Sequence, residues 1–192
     1  NAMDAKNGTA LLRASQHCQP QAIQLLLDHG AAVDQMLPPV CNFKDVDGTL
    51  FQQQRRTCWV TPLVFVVASQ ATRTCGGERQ LDVIRMLLKN GAKKSYRAKY
   101  PPEWCNYKST ALIEAIIKGN APAIKVLLEH GANASEKGNF HGYEHLPIHA
   151  LFQSKIDFPS LSAAAKLLVD FGADVNEMTD GQTLLMKAAR TC

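Results

Sequence analysis

Apolar and polar positions follow one another along this chain in a phrase that returns four times. Residues 22–31 read AIQLLLDHGA, 83–92 VIRMLLKNGA, 123–132 AIKVLLEHGA and 164–173 AAKLLVDFGA. In each, apolar residues recur at i, i+3 and i+4 with one flanking position, the spacing of a helix that buries one face. Each phrase ends in Gly-Ala, and glycine closes a helix at least cost because its left-handed conformation meets no Cβ. A shorter apolar phrase lies upstream of each: TALLRAS at 9–15, TPLVFVV at 61–67, TALIEAI at 110–116 and LPIHALF at 146–152. A fifth, TLLMKAA at 183–189, has no second phrase after it. Threonine suits the N-cap, where its hydroxyl accepts an orphan backbone N–H. Pro62 and Pro147 fall where a first helical residue has no N–H to lose. The pattern predicts units of two antiparallel helices, the first opened by Thr or Pro and the second closed by Gly.

These residues resemble ankyrin repeats, whose pattern runs T-P-L-H-x-A-A into the first helix and V-V-x-L-L-L-x-x-G-A-D-V-N out of the second. The fullest ending is KLLVDFGADVNEMTDGQTLLM at 166–186, with the Asp180-Gly181 turn, while DAKNGTALL at 4–12 and Thr61-Pro62-Leu63 restate the opening. The resemblance implies an all-α type solenoid, a stack of ankyrin helix-turn-helix repeats with extended β-hairpin or loop fingers. It implies one domain over 3–192, with repeats at about 4–34, 57–94, 106–134 and 143–176 and a half repeat at 177–192. Helix pairs of this kind are stabilised by stacking on their neighbours. Leu184, Leu185, Met186, Ala188 and Ala189 are expected to cover the second helix of the fourth repeat.

The spacing departs from a plain array. Gly-to-Gly distances are 61, 40 and 41 residues, where an ankyrin array shows about 33. Part of the excess falls between the helices of repeats two and four, around 71–77 and 154–159, where Gly76-Gly77 and Pro159 read as loop punctuation. The larger part lies in the fingers between repeats. Long connections of this kind are commonly functional, and insertions in repeat proteins gather on one face, often the binding one.

Composition adds little until it is placed on this frame. Hydrophobic content of 46% with 20% charge is ordinary for a folded protein. No run of about 18 apolar residues exists to span a membrane, and the start, NAMDAKNGT, has no apolar segment of a signal peptide. Asn1 and Ala2 before Met3 read as a tag remnant. Six cysteines, Cys18, Cys41, Cys58, Cys75, Cys105 and Cys192, include no C-x-x-C pair. They are expected to be reduced thiols in a cytoplasmic compartment.

Of thirteen aromatic residues, nine fall in the three long fingers. Trp59, Tyr96, Tyr100, Trp104, Tyr107, Phe140 and Tyr143 are the candidate partner-binding set among them, either packed as local cores or presented as interface anchors. The second finger, 93–109, carries Lys93, Lys94, Arg97, Lys99 and Lys108 against Glu103, a net +4 equal to that of the whole chain. Arg97 and Lys99 join the candidate set, because basic residues among aromatics meet an acidic protein surface or phosphates. Helix-one positions facing the inner curve, by register with the repeat pattern, include Arg13, Gln16, His17, Phe65, Ser69, Glu114, Lys118, Gln153, Lys187 and Arg190. Arg13 and Glu114 complete the candidate surface.

Catalytic chemistry finds no support in the sequence. His141, His145 and His149 are spaced by four, but Pro147 belongs at a helix start and prevents one helix from carrying all three. His149 stands where the resemblance implies a structural histidine. No phosphate loop or H-E-x-x-H motif is present, and neither cofactor nor metal is expected. The expected function is a monomeric protein-interaction module whose concave face and aromatic, basic fingers hold another protein. The alternative is the targeting domain of a larger enzyme, or of a bacterial effector acting in host cytoplasm. An RNA-binding array is a lesser third, since no nucleic-acid recognition motif is present.

Overall fold

The computed structural model describes residues 9–35, 61–68, 75–97, 108–140, 143–154, 158–178 and 181–189. Its elements are helices α1 (Ala10–Gln16), α2 (Pro20–Asp28), α3 (Pro62–Ala68) and α4 (Glu78–Lys89), strands β1 (Ser95–Arg97) and β2 (Lys108–Thr110), helices α5 (Ala111–Ile117) and α6 (Ala121–Glu129), strands β3 (Gly138–Phe140) and β4 (Tyr143–His145), and helices α7 (Pro147–Gln153), α8 (Phe158–Asp170) and α9 (Leu184–Ala189). The chain divides into two compact units, 1–108 and 109–192.

Each predicted helix forms for the reason the sequence gives. The hydroxyls of Thr9, Thr61 and Thr110 accept the N–H groups of Leu12, Val64 and Ile113 at 3.2, 3.3 and 3.1 Å, capping α1, α3 and α5 alike. Thr183 does the same for Met186 at 3.3 Å. At the other end, Gly30, Gly91, Gly131 and Gly172 adopt φ between 76° and 89°. The alanine after each glycine donates its N–H to the carbonyl of Leu26, Leu87, Leu127 or Leu168, in every case at 2.9 or 3.0 Å. This six-to-one bond closes the last turn of the second helix and satisfies a carbonyl left over by it. Pro159 departs from its expected place in a loop, because it lies in the first turn of α8, where a proline gives up no intrahelical bond.

In the first unit α1 packs on α2 and α3 on α4, while α3 lies against α1 and α4 against α2. Leu11, Leu12, Ile23, Leu63, Ile84 and Leu87 fill the core between them. Gln80 reaches across to donate to the Val66 carbonyl at 2.7 Å, so α4 is held to the end of α3 by a buried polar bond.

Cys18 and Cys75 are both buried and are joined as a disulfide, with Cα atoms 5.0 Å apart across 57 residues of sequence. The expectation of six reduced thiols is corrected for this pair. Stacking of the second helix pair on the first brings together two cysteines that sequence spacing keeps apart. Cys18 also has φ of 45°, at the position nine residues after the capping threonine where α5 has Gly119 with φ of 67°. A Cβ in the left-handed region costs roughly 1–2 kcal/mol.

The second unit repeats the arrangement. Helices α5 and α6 pair, α7 and α8 pair, and the second pair lies on the first, α7 against α5 and α8 against α6. Between them β3 and β4 form an antiparallel hairpin with Gly138 opposite His145, Asn139 opposite Glu144 and Phe140 opposite Tyr143. Strand β3 packs on α5 so closely that a Cβ on Gly138 would stand 2.9 Å from Ile113 Cγ1. Helix α9 packs chiefly on α7. The expectation that it covers α8 is corrected: Leu185 and Met186 face solvent, and so does Val169 of α8.

Candidate partner-binding surface

Three regions carry the residues singled out from the sequence. The first is the row along each opening helix. On α1, Arg13 is half-buried and its Nη1 donates to Gln16 Oε1 at 3.0 Å, which fixes the guanidinium along the helix. His17, just past the helix end, is exposed. Phe65 of α3 is half-buried, so its ring is in part available. In the second unit Glu114 lies at the edge of burial on α5, and Lys118, one turn on, is half-buried. Of these, Arg13 is a polar group with restrained geometry, a better basis for selective contact than freely moving surface charge. Ser69 and Arg190 lie outside the described residues, as do the side chains of Gln153 and Lys187.

The second region is the fingers. Tyr96, in β1, is only 7% exposed, so of the two roles open to it the structure gives it packing. Neighbouring strand residues point to opposite faces, and its own position is the inward one. Arg97 lies in the same strand, and Phe140 and Tyr143 occupy paired positions nearest the turn of the β3–β4 hairpin, their side chains falling outside the described set. Trp59, Lys99, Tyr100, Trp104 and Tyr107 lie outside the described residues altogether. Lys93 is exposed, with its backbone N–H held by Asp34 Oδ1 at 3.0 Å. That bond ties the turn after α2 to the turn after α4.

The third region was not singled out from the sequence. In the second unit Val169, Phe171, Val175, Met178, Leu185 and Met186 are all exposed large apolar residues within 18 positions of one another. In the first unit Leu25 is the one exposed large apolar residue among those described. The signal was available by aligning 110–137 with 146–178 and 183–189 position by position. Reading each phrase for its own periodicity does not reveal it, because Val169, Leu185 and Met186 satisfy the helical pattern as well as buried residues do.

Chemistry of other kinds has little footing. His145 and His149 are buried. Among the described residues no group of three or more His, Cys, Asp or Glu side chains is placed to hold a metal ion. Nor is any described helix long and apolar enough to cross a membrane. With the geometry in hand, comparison with known proteins is specific for one segment. The family model of the ankyrin repeat matches residues 107–139, which take in β2, α5, α6 and the start of the β3–β4 hairpin. No curated protein matches the chain. The matched segment and the mostly helical structure fit an all-α repeat fold, and ankyrin repeats generally serve as protein–protein interaction modules.

Proposed function

We propose that the protein is a monomeric, non-catalytic interaction module that holds another protein against its opening-helix rows and its long fingers. The observation that carries this reading is the pairing of an ankyrin repeat match at 107–139 with fingers longer than the repeat needs and rich in aromatic and basic residues. The partner contacts Arg13 on the opening helix of the first unit or Glu114 on that of the second. In the fingers it contacts Trp59, Arg97, Lys99, Tyr100, Trp104, Tyr107, Phe140 and Tyr143, with Tyr96 supporting its strand from beneath. A partner surface of acidic character complements the second finger, whose net charge is +4. The site of action is the cytoplasm, where the Cys18–Cys75 pair would stand against a reducing glutathione pool.

The test is capture of a partner from cytosol by the intact chain, compared with a variant carrying Lys99→Ala, Tyr100→Ala and Trp104→Ala. Capture lost in the variant while its helical circular dichroism persists is the expected result. Capture unchanged by the triple substitution and by Arg13→Ala would remove both surfaces from consideration.

A further inference from the structure

The turn that ends α1 has the geometry of a glycine turn and holds a cysteine. Helices α1 and α5 close with the same three backbone bonds. His17 N–H donates to the Arg13 carbonyl at 3.2 Å, Cys18 N–H to Ser15 at 3.2 Å and Gln19 N–H to Ala14 at 3.0 Å. Lys118, Gly119 and Asn120 do the same for Glu114, Ile116 and Ala115. This closure takes a left-handed residue at its second position, and after α5 that residue is Gly119 with φ of 67°. Cys18 stands there with φ of 45°, the one non-glycine residue of positive φ among those described. Its partner is also set by unusual backbone. Cys75 lies two residues before Gly77, the N-cap of α4, which has φ of 56° and ψ of −137°.

The bond to Cys75 holds Cys18 in a conformation that a free thiol has reason to leave. A side chain in the left-handed region is disfavoured about tenfold against an ordinary one. Breaking the disulfide lets the turn relax, and that relief favours reduction by a similar factor over a pair on ordinary backbone. The turn has room to move, because His17 and Gln19 on either side of Cys18 are exposed. Cys18 and Cys75 themselves are buried. A reductant therefore reaches the sulfurs only as the turn opens, which couples the chemistry to the movement.

We propose that Cys18 and Cys75 form a thiol–disulfide switch that sets whether the last turn of α1 is held, with the glutathione couple as its redox partner. In reduction a glutathione thiolate attacks one sulfur of the pair, the S–S bond breaks, and the other cysteine leaves as a thiolate. A second glutathione thiolate attacks the glutathione sulfur of the mixed disulfide. That step frees the remaining cysteine and forms glutathione disulfide. The pair gains two electrons and two protons, and glutathione disulfide as oxidant runs the sequence in reverse. The turn so controlled is the one that orders the opening row of the first unit. The Arg13 carbonyl accepts the His17 N–H within it, and Arg13 Nη1 donates to Gln16 Oε1. The oxidised pair presents Arg13 in fixed geometry, and reduction loosens it. This consequence for binding rests on Arg13 being a partner contact; the switch itself does not.

The test equilibrates the intact chain with reduced and oxidised glutathione in varied ratio, quenches with acid, alkylates, and follows Cys18 and Cys75 by peptide mapping. The two should convert together. A pair that stays bonded at the glutathione ratio of a reducing cytosol, or stays as two thiols in excess glutathione disulfide, overturns the proposal. Amide exchange then reads the turn. On reduction the Gln19 amide should exchange about tenfold faster relative to the Arg13 amide, which bonds to Thr9 at the start of α1. Cys18→Ala with Cys75→Ala should copy the reduced parent. Cys18→Gly with Cys75→Ala should restore the oxidised ratio although it has no disulfide, because glycine holds the turn unaided. Equal ratios in the two double variants would make the bond a plain cross-link and overturn the switch. Partner capture that falls on reduction of the parent, and not of the glycine variant, supports control of Arg13. Capture that Arg13→Ala leaves unchanged, with the Gln19 ratio still following glutathione, counts against the opening row and leaves the switch standing.

Discussion

The two units are built from the same pair of helical phrases and hold their helix pairs together by different means. In the first, a disulfide between Cys18 and Cys75 links the end of α1 to the approach to α4, and Gln80 bonds the Val66 carbonyl. In the second, the β3–β4 hairpin lies against α5, with Gly138 on Ile113. The repeated phrase decides which helices meet. What reinforces the meeting comes from residues outside the phrase, and it differs from one unit to the other. Cys18 and Gly119 show this at a single position. Both end an opening helix in the left-handed region, but glycine does so without a Cβ, whereas the cysteine is retained there and paired.

If that contrast is right, the largest effect belongs to the disulfide. Closing 57 residues gives a loop-entropy contribution of about 4 kcal/mol. Cys75→Ala, or added reductant, should expose α1 to α4 to hydrogen exchange at correspondingly lower free energy and leave α5 to α8 unchanged. Equal loss of protection in both units would dissolve the distinction. The second unit has its own test in Gly138→Ala. The new Cβ would meet Ile113, itself fully buried, and the overpacking should cost about 1–3 kcal/mol. That loss should appear in α5 and β3 and be indifferent to reductant.

A smaller effect should be the same on both sides. Thr9→Ala and Thr110→Ala each remove one capping bond of nearly the same length, and each should cost about 1 kcal/mol. Thermal melts of the two variants should agree within that figure. A large difference between them would mean that the shared phrase does not have the same weight in each unit.

Much of this frame was legible in the residues. The caps, the glycine closures and the order of helices all depend on contacts within four or five positions, and such contacts leave a local signature. Three features were not legible, each because it depends on separations that the pattern does not encode. Cys18 and Cys75 meet only after one helix pair is laid on another. Tyr96 reads as a candidate anchor by type, and its burial is a property of the finger's packing. The face at Val169 and Leu185 carries the same apolar residues as a covered one, so only knowing what lies over it separates the two. Pro159 is a different case. Its presence reads as loop punctuation, yet it lies in the first turn of α8, since proline is as much at home in the first turn of a helix as in a loop.

The weakest expected effect tests whether loop-tip contacts add to the difference between the units. In the first, Asp34 accepts the backbone N–H of Lys93; in the second, Lys137 faces Glu177 at 3.6 Å. Both join successive turns, but both are reached by water. With side chains 42% and 38% exposed, the ion pair is screened and ordering two long side chains offsets part of its attraction. Its contribution should lie below about 0.5 kcal/mol. Glu177→Gln should shift the melt only slightly, and less still in high salt, where the Debye length shortens to about 3 Å at 1 M. Asp34→Ala leaves a backbone N–H that water can satisfy, so its cost should also be small, about 0.5–1 kcal/mol, and should persist in salt because the bond is directional and short. A salt-insensitive loss above 1 kcal/mol for Glu177→Gln would show that the turn contacts, and not the hairpin against α5, hold the second unit's pairs in register.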